Sequence, residues 1–118
     1  MNVYHNGPNY NFYNVDQVYD YLVSIGMSPI IELSFMPSYM ASGNETIMHY
    51  KANITPPNNY TNWYNLVVAF VKHLIDRYGM DRISKWHFEV WVNTNYKIKF
   101  LGTYILDVYI ICHLIKLL

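Results

Sequence analysis

The stretch "WHFEVWVNTN", residues 86–95, has the pattern of a β-strand that runs into a polar loop. Trp86 and Phe88 alternate with His87 and Glu89, which is the period of two expected when one side of a strand is packed. The Asn-Thr-Asn that follows favours a loop. The side of this strand that carries His87 and Glu89 is unusually polar for a buried strand. The end of the strand is therefore a candidate functional site.

Two helices and another strand precede this stretch. Residues 14–25 carry apolar side chains at helical spacing, with Asn14 as the predicted N-cap and Gly26 as the stop signal. Residues 29–37, "PIIELSFMP", are rich in branched side chains between two prolines and predict a buried strand. A second apolar stripe predicts a helix over residues 60–78.

The order of these elements indicates an α/β fold with parallel strands. Residues 38–58 contain glycine, prolines and many polar residues, and we expect them to form a long loop with little regular structure. Folds of this class place function in the loops after their strands. Residues 102–118 predict a divergent, apolar C-terminal helix. Its apolar run over 104–118 is shorter than the ~20 apolar residues needed to span a membrane, so we expect a packed helix and not a membrane anchor.

The composition is that of one ordinary domain of 118 residues. Eight basic and eight acidic residues leave no net charge, so no electrostatic footprint for nucleic acid or for a membrane surface is expected. The single cysteine, Cys112, forms no internal disulfide, and the five histidines lack the spacing of a metal site. No cofactor motif is present, and the polar, aromatic first 13 residues do not resemble a signal peptide, so we expect a cytoplasmic protein without a cofactor.

Several blocks together carry a family resemblance: "NVDQVYDYLVSIGMSPIIELSFMPSYMASG", "YKANITPPNNYTNW" and "HLIDRYGMDRISKWHFEVW". Over roughly residues 4–91 the chain resembles glycoside hydrolase family 39, the β-xylosidase and α-L-iduronidase family. The resemblance implies a (β/α)8 TIM barrel and retaining hydrolysis of O-glycosidic bonds by two glutamates. Residues 1–101 would be a partial barrel of roughly the second to fourth βα units. A closed barrel needs about 250 residues, so this one would stay open.

The resemblance also implies where the catalytic acid/base should lie. The family's fourth strand continues into W-N-E-P, and the matching residues here are Trp91, Val92, Asn93 and Thr94. Asn93 stands at the acid/base position and Val92 at the preceding Asn position; an amide cannot exchange a proton as a carboxylate does. A one-residue insertion aligns Asn93 with the family's Asn, but Thr94 then replaces the acid.

Two glutamates are conceivable substitutes for that acid. Glu89 lies four residues before Asn93, which is roughly 13 Å deeper along a strand, whereas a retaining pair lies about 5–5.5 Å apart. We therefore interpret Glu89, and Glu32 on the preceding strand, as structural carboxylates. The family's nucleophile lies on the seventh strand, and nothing here resembles that region. The sequence thus predicts a truncated, β-xylosidase-type hydrolase that is inactive by itself.

Candidate substrate-binding residues are His49 and Tyr50, in the long loop, and Trp91 at the end of the strand. Ordinary packing of the loop is an equally good interpretation of Tyr50. The expected partner is a carbohydrate, a xyloside or a related glycoside, and the sequence does not decide between xylosides and uronides. Three alternatives stay open: a sugar-binding protein without catalysis, a barrel fragment that self-associates or is completed by a partner, and a peripheral membrane protein that rests on residues 104–118. His73 and Asp76, three residues apart, predict an exposed helix surface.

Overall fold

A computed structural model of the chain describes residues 9–89. Within this range two long helices pack on one side of two parallel strands, and a small hairpin follows the first of these strands. The elements are α1 (Tyr13–Ser24), β1 (Ile30–Glu32), a 3-10 turn (Ser38–Met40), β2 (Thr46–Ile47), β3 (Ala52–Asn53), α2 (Tyr60–Tyr78), α3 (Met80–Ile83) and β4 (His87–Glu89).

Strands β1 and β4 are hydrogen-bonded in parallel, as the alternation of strands and helices predicted. Ile31 lies opposite Phe88, and Glu32 lies opposite Glu89. Ile31 and Phe88 are each only 2% exposed, because they point toward the helices. Within residues 9–89 the sheet stays open and two-stranded, so this part of the chain is a partial α/β arrangement.

The other face of the same two strands is open. Ile30 is 67% exposed, and Glu32 and His87 are exposed beside it. The prediction of a buried strand over residues 29–37 therefore holds only in part within the described residues. The regular strand has three residues, and only one of its faces is covered within the described residues.

The core lies between this sheet and the two helices. Its largest contribution comes from α2, where Leu66, Phe70, Val71 and Leu74 are buried along one side. The predicted helix over 60–78 is confirmed, including its end at Gly79, whose φ of 84° suits a residue without a side chain. The core cluster is formed by Val15, Ile31, Phe70, Val71, Leu74, Ile83, Trp86 and Phe88.

Helix α1 begins two residues earlier than the predicted cap implied, and Asn14 is not its cap. The N-cap position is Phe12, and Asn11 Oδ1 accepts a hydrogen bond of 2.9 Å from the Tyr13 N–H. The start of α2 follows the usual rule, because the Asn59 side chain accepts from the N–H groups of Thr61 and Asn62.

The segment 38–58 was predicted as a long loop with little regular structure, and its regular elements are indeed short: a 3-10 turn of three residues and two strands of two residues each. Strands β2 and β3 form an antiparallel pair, and Ala41 bridges to Pro57. Buried Asn53 donates from its side-chain amide to the Gly43 carbonyl at 2.8 Å and accepts from the Thr55 hydroxyl at 2.7 Å. The Asn53–Gly43 bond joins residues ten apart and, with the strand pair, folds the segment into a hairpin.

The predicted helix over 102–118, and with it the boundary between 101 and 102, lies outside the described residues. In the part from 9 to 89, neither long helix has the length and apolar character needed to cross a bilayer.

Candidate functional site

The hairpin folds against the chain that leaves β1. Met36, four residues beyond the end of β1, donates its N–H to the Asn53 carbonyl at 3.1 Å. The ring of Phe35 meets the ring of Tyr50 edge-on, with centroids 6.1 Å apart. This contact brings the tip of the hairpin to the carboxyl end of a parallel strand, the position at which α/β folds bind ligands.

Three residues around this contact have left-handed backbone conformations without being glycine. Phe35, Met48 and Lys51 have φ values of 52°, 62° and 52°. Such conformations cost on the order of 1 kcal/mol each and persist where the surrounding structure requires them. Here they turn the chain so that Tyr50 lies over Phe35.

The structure brings His49 and Tyr50 together at the exposed tip. Their rings meet nearly at right angles, with centroids 5.0 Å apart, and the Tyr50 hydroxyl contacts the Met48 sulfur. Tyr50 is 55% exposed, so one side of its ring is available to a ligand. Phe35, which contacts this ring, was missed in the sequence because it lies within the predicted strand over 29–37, whereas the observed strand ends at Glu32.

Glu32 and Glu89 lie side by side on the open face of the sheet, directly opposite each other in the register. Glu32 is exposed and Glu89 is half-buried. Both glutamates therefore point away from the helix-packed core, on the face opposite to Ile31 and Phe88. A retaining pair must stand across a glycosidic bond, whereas these two come from neighbouring positions on one ladder.

A cavity of about 270 Å3 is lined by residues of α1, β1 and α2, including Glu32. Ser34, Phe35 and Trp63 are among its other lining residues. The cavity combines apolar walls with a carboxylate and a hydroxyl, a combination typical of small-molecule sites.

A separate polar cluster joins the outer sides of α1 and α2. His73 was predicted to lie on an exposed surface with Asp76, but its Nε2 lies 2.6 Å from an oxygen of Asp16. Asp16 is only 9% exposed, and the Phe12 ring stacks on the imidazole with centroids 4.6 Å apart. His73 therefore packs between helices, and only Asp76 is exposed.

One turn further along both helices, Arg77 and Tyr78 of α2 donate hydrogen bonds to the carboxylate of Asp20 on α1. The Arg77 Nε donates to Asp20 at 2.9 Å, and the Tyr78 hydroxyl donates at 2.7 Å. The guanidinium hydrogen bond, followed by the phenol, lowers the pKa of Asp20 to about 2. Burial and the neighbouring carboxylate raise the pKa of Tyr78. The sequence does contain a signal for this cluster. Asp16 and Asp20 are four residues apart on α1, and His73 and Arg77 are four residues apart on α2, so each pair lies on one side of its helix.

The remaining predicted site residues, Trp91, Val92 and Asn93, lie outside the described residues. Among residues 9–89, no group of three or more His, Cys, Asp or Glu side chains is arranged to hold a metal ion.

The sequence matches the glycosyl hydrolases family 39 over residues 1–110. It is 50% identical over 88 residues to a β-xylosidase of Caldicellulosiruptor saccharolyticus, covering 75% of this chain and 18% of that protein. It is 35% identical over 85 residues to the human α-L-iduronidase, covering 72% of this chain and 12% of that protein.

Comparison of the fold with solved structures also points to family 39. A monomeric β-xylosidase of Caulobacter crescentus superposes with a TM-score of 0.69 at 40% identity, covering 75% of this chain and 18% of that structure. The family 39 enzyme of Xanthomonas axonopodis also gives 0.69, at 36% identity, with 75% and 17% covered. The chain thus spans a small part of the length of the relatives it matches, 18% for the first β-xylosidase. By its sequence and by its fold, this chain belongs to glycosyl hydrolase family 39.

Proposed function

We propose that the chain forms the second to fourth βα units of a TIM barrel of the β-xylosidase type. The observation that carries the proposal is the hairpin tip with Tyr50, folded over the carboxyl end of the parallel pair β1–β4. TIM barrels bind their substrates at this end of their strands. The identity of 50% with a β-xylosidase favours xylosides over uronides as the substrate class.

The proposed role of the hairpin is to contact the sugar. Tyr50 presents an exposed ring face and His49 a ring nitrogen, and Trp91, two residues beyond β4 in the sequence, would add a second aromatic surface. Aromatic faces pack on the C–H groups of a pyranose, while polar groups at the edge bind its hydroxyls.

Replacement of Tyr50 by alanine tests this role. We expect Tyr50→Ala to weaken binding of xylo-oligosaccharides about tenfold, because the loss of one aromatic surface costs about 1.4 kcal/mol. Tyr60→Ala is the matched control, since Tyr60 is similarly exposed, 57%, but belongs to α2 and not to the hairpin. Isothermal titration calorimetry provides the measurement. Equal affinity of the two variants would exclude Tyr50 as a contact.

Hydrolysis by this 118-residue chain alone is not part of the proposal. Asn93 stands where the family has its acid/base, and an amide can neither donate a proton to the leaving oxygen nor accept one from water. The in-register pair Glu32 and Glu89 does not offer the two sides of a glycosidic bond that a retaining pair requires.

The corresponding measurement is the turnover of an aryl β-xyloside by the purified chain. We expect no release of the phenol above the buffer rate, and we expect Asn93→Glu to leave this result unchanged because a nucleophile is still lacking. Measurable turnover by the unmodified chain would show that another pair of groups performs the chemistry.

A second candidate function is sugar binding without hydrolysis, favoured by the exposed ring of Tyr50. Calorimetry distinguishes it: binding of xylose or xylo-oligosaccharide without turnover supports it, and no heat at millimolar sugar rejects it. The cytoplasmic location stays a prediction from the sequence.

A further inference from the structure

Phe35 lies where the chain leaves β1 and turns toward the hairpin. Its φ of 52° is unusual for a bulky side chain, and such a conformation persists where the surrounding structure requires it. The next residue, Met36, donates its N–H to the carbonyl of Asn53 in β3 at 3.1 Å. Because Asn53 lies three residues after Tyr50, this backbone bond brings Phe35 and the tip of the hairpin to the same place.

The Tyr50 ring is contacted from several directions. The Phe35 ring meets it at 77° with centroids 6.1 Å apart, an edge-to-face geometry that is favourable for aromatic pairs. The His49 ring meets it at 86°, and the Tyr50 hydroxyl contacts the Met48 sulfur. His49 and Met48 belong to the hairpin tip itself, whereas Phe35 belongs to the segment that leaves β1. The contact with Phe35 therefore links the ring to the sheet.

These contacts restrain the Tyr50 ring without covering it, since 55% of its surface is still exposed. An aromatic ring that is already in place binds a ligand more tightly than one that must first be ordered. The reason is that the side-chain freedom lost on binding opposes the association. A restrained and exposed ring is therefore the arrangement expected of a preorganised binding surface.

We propose that Phe35 is a positioning residue, which fixes the Tyr50 ring for contact with a xylo-oligosaccharide. Its effect on affinity is exerted through Tyr50 and requires no contact between Phe35 and the ligand. The inference rests on the proposed sugar contact at Tyr50, and it adds a residue outside the hairpin that sets the geometry of this contact. Removal of the Phe35 ring should therefore matter only while Tyr50 is present.

Three variants of the full 118-residue chain separate this role from general packing. Phe35→Leu removes the ring and keeps an apolar side chain, whereas Phe35→Tyr keeps the ring. Phe12→Leu is the matched control, because Phe12 is also half-buried and lines the same cavity of about 270 Å3 as Phe35. The Phe12 ring stacks on His73 of α2, so its loss should leave the hairpin tip unchanged.

The motion of the Tyr50 ring is the direct readout. Carbon relaxation measured by NMR on ring-labelled tyrosine reports this motion, and the Tyr50 signal is assigned by its loss in Tyr50→Ala. We expect Phe35→Leu to increase the motion of the ring, and we expect Phe35→Tyr and Phe12→Leu to leave it as in the unmodified chain. Unchanged motion in Phe35→Leu would overturn the proposal, whether or not the chain binds sugar.

Calorimetry with a xylo-oligosaccharide then shows whether this positioning affects binding. We expect Phe35→Leu to weaken binding about three- to tenfold, and Phe35→Tyr to keep the affinity of the unmodified chain. In a chain that already carries Tyr50→Ala, Phe35→Leu should have no further effect. An equal loss with and without Tyr50 would overturn the proposal, because Phe35 would then act independently of that ring. If the unmodified chain binds no sugar, the proposed function fails, and the ring motion alone decides whether Phe35 positions Tyr50.

Discussion

Asp20 shows how single residues join the two long helices. Its carboxylate accepts hydrogen bonds from Arg77 and Tyr78, which lie 57 and 58 residues away in the chain. The guanidinium favours the charged carboxylate and lowers its pKa to about 2. The same contact raises the pKa of Arg77. The bond between α1 and α2 is therefore strongest when Asp20 is ionised.

The lowered pKa of Asp20 predicts how the free energy of unfolding depends on pH. The folded-state pKa is depressed below the ordinary value of about 3.9, so the contribution of Asp20 is complete above pH 4. It is lost as the pH falls from about 4 toward the folded value of about 2. We expect Asp20→Asn to be less stable than the unmodified chain at pH 6 and to lose less stability between pH 4 and 2. Urea unfolding followed by tryptophan fluorescence measures both.

Asp76→Asn is the matched control for this experiment, because Asp76 is exposed on the same helix as Arg77 and points away from the ion pairs with α1. Its stability between pH 4 and 2 should follow that of the unmodified chain. If Asp20→Asn also follows the unmodified chain, the hydrogen bonds to Asp20 are not maintained in solution.

At the scale of elements, β1 has two faces of opposite character. Ile31 is 2% exposed among the helix residues, whereas the adjacent Ile30 is 67% exposed. The two residues have the same side chain and lie next to each other in β1, and they differ only in which face of the sheet they occupy. Their comparison therefore measures the coverage of each face separately.

We expect Ile31→Ala to lower the free energy of unfolding by about 2–5 kcal/mol, because it leaves a cavity in the core. Ile30→Ala should cost less than about 1 kcal/mol, which is the range of strand propensity alone. Urea unfolding of both variants is the measurement. Equal losses would mean that the open face of the sheet is covered in solution.

The helices and the parallel strand pair were predictable from the sequence, and the hairpin was not. An apolar stripe of 19 residues, such as that of α2, repeats its period often enough to be recognised. Strands β2 and β3 have two residues each, so no alternation can appear in them. The pairing of His73 with Asp16 joins residues 57 apart, and local spacing gave His73 a different neighbour.

At the scale of the whole molecule, stability is distributed unevenly over the described residues. Helix α2 contributes Leu66, Phe70, Val71 and Leu74 to the core and also contacts α1 through His73 and Arg77. The hairpin rests on short strands and on the buried bonds between Asn53, Thr55 and Gly43. Local opening should therefore require less free energy in the hairpin than in α2.

Hydrogen exchange provides a direct test of this distribution. We expect the amides from Phe70 to Leu74 to exchange only on global unfolding, because opening them exposes the residues that both strands pack against. The amides of Ile47 and Lys51, in the hairpin, should exchange faster and respond less to urea. Thr55→Val should accelerate the hairpin amides further, since it leaves the Gly43 N–H without its 3.1 Å bond to the Thr55 hydroxyl. Thr46→Val, at an exposed position of β2, is the control that should leave them unchanged. Protection of the hairpin equal to that of α2 would mean that the described part of the chain opens as a single cooperative unit, with the tip of the hairpin held as firmly as the core.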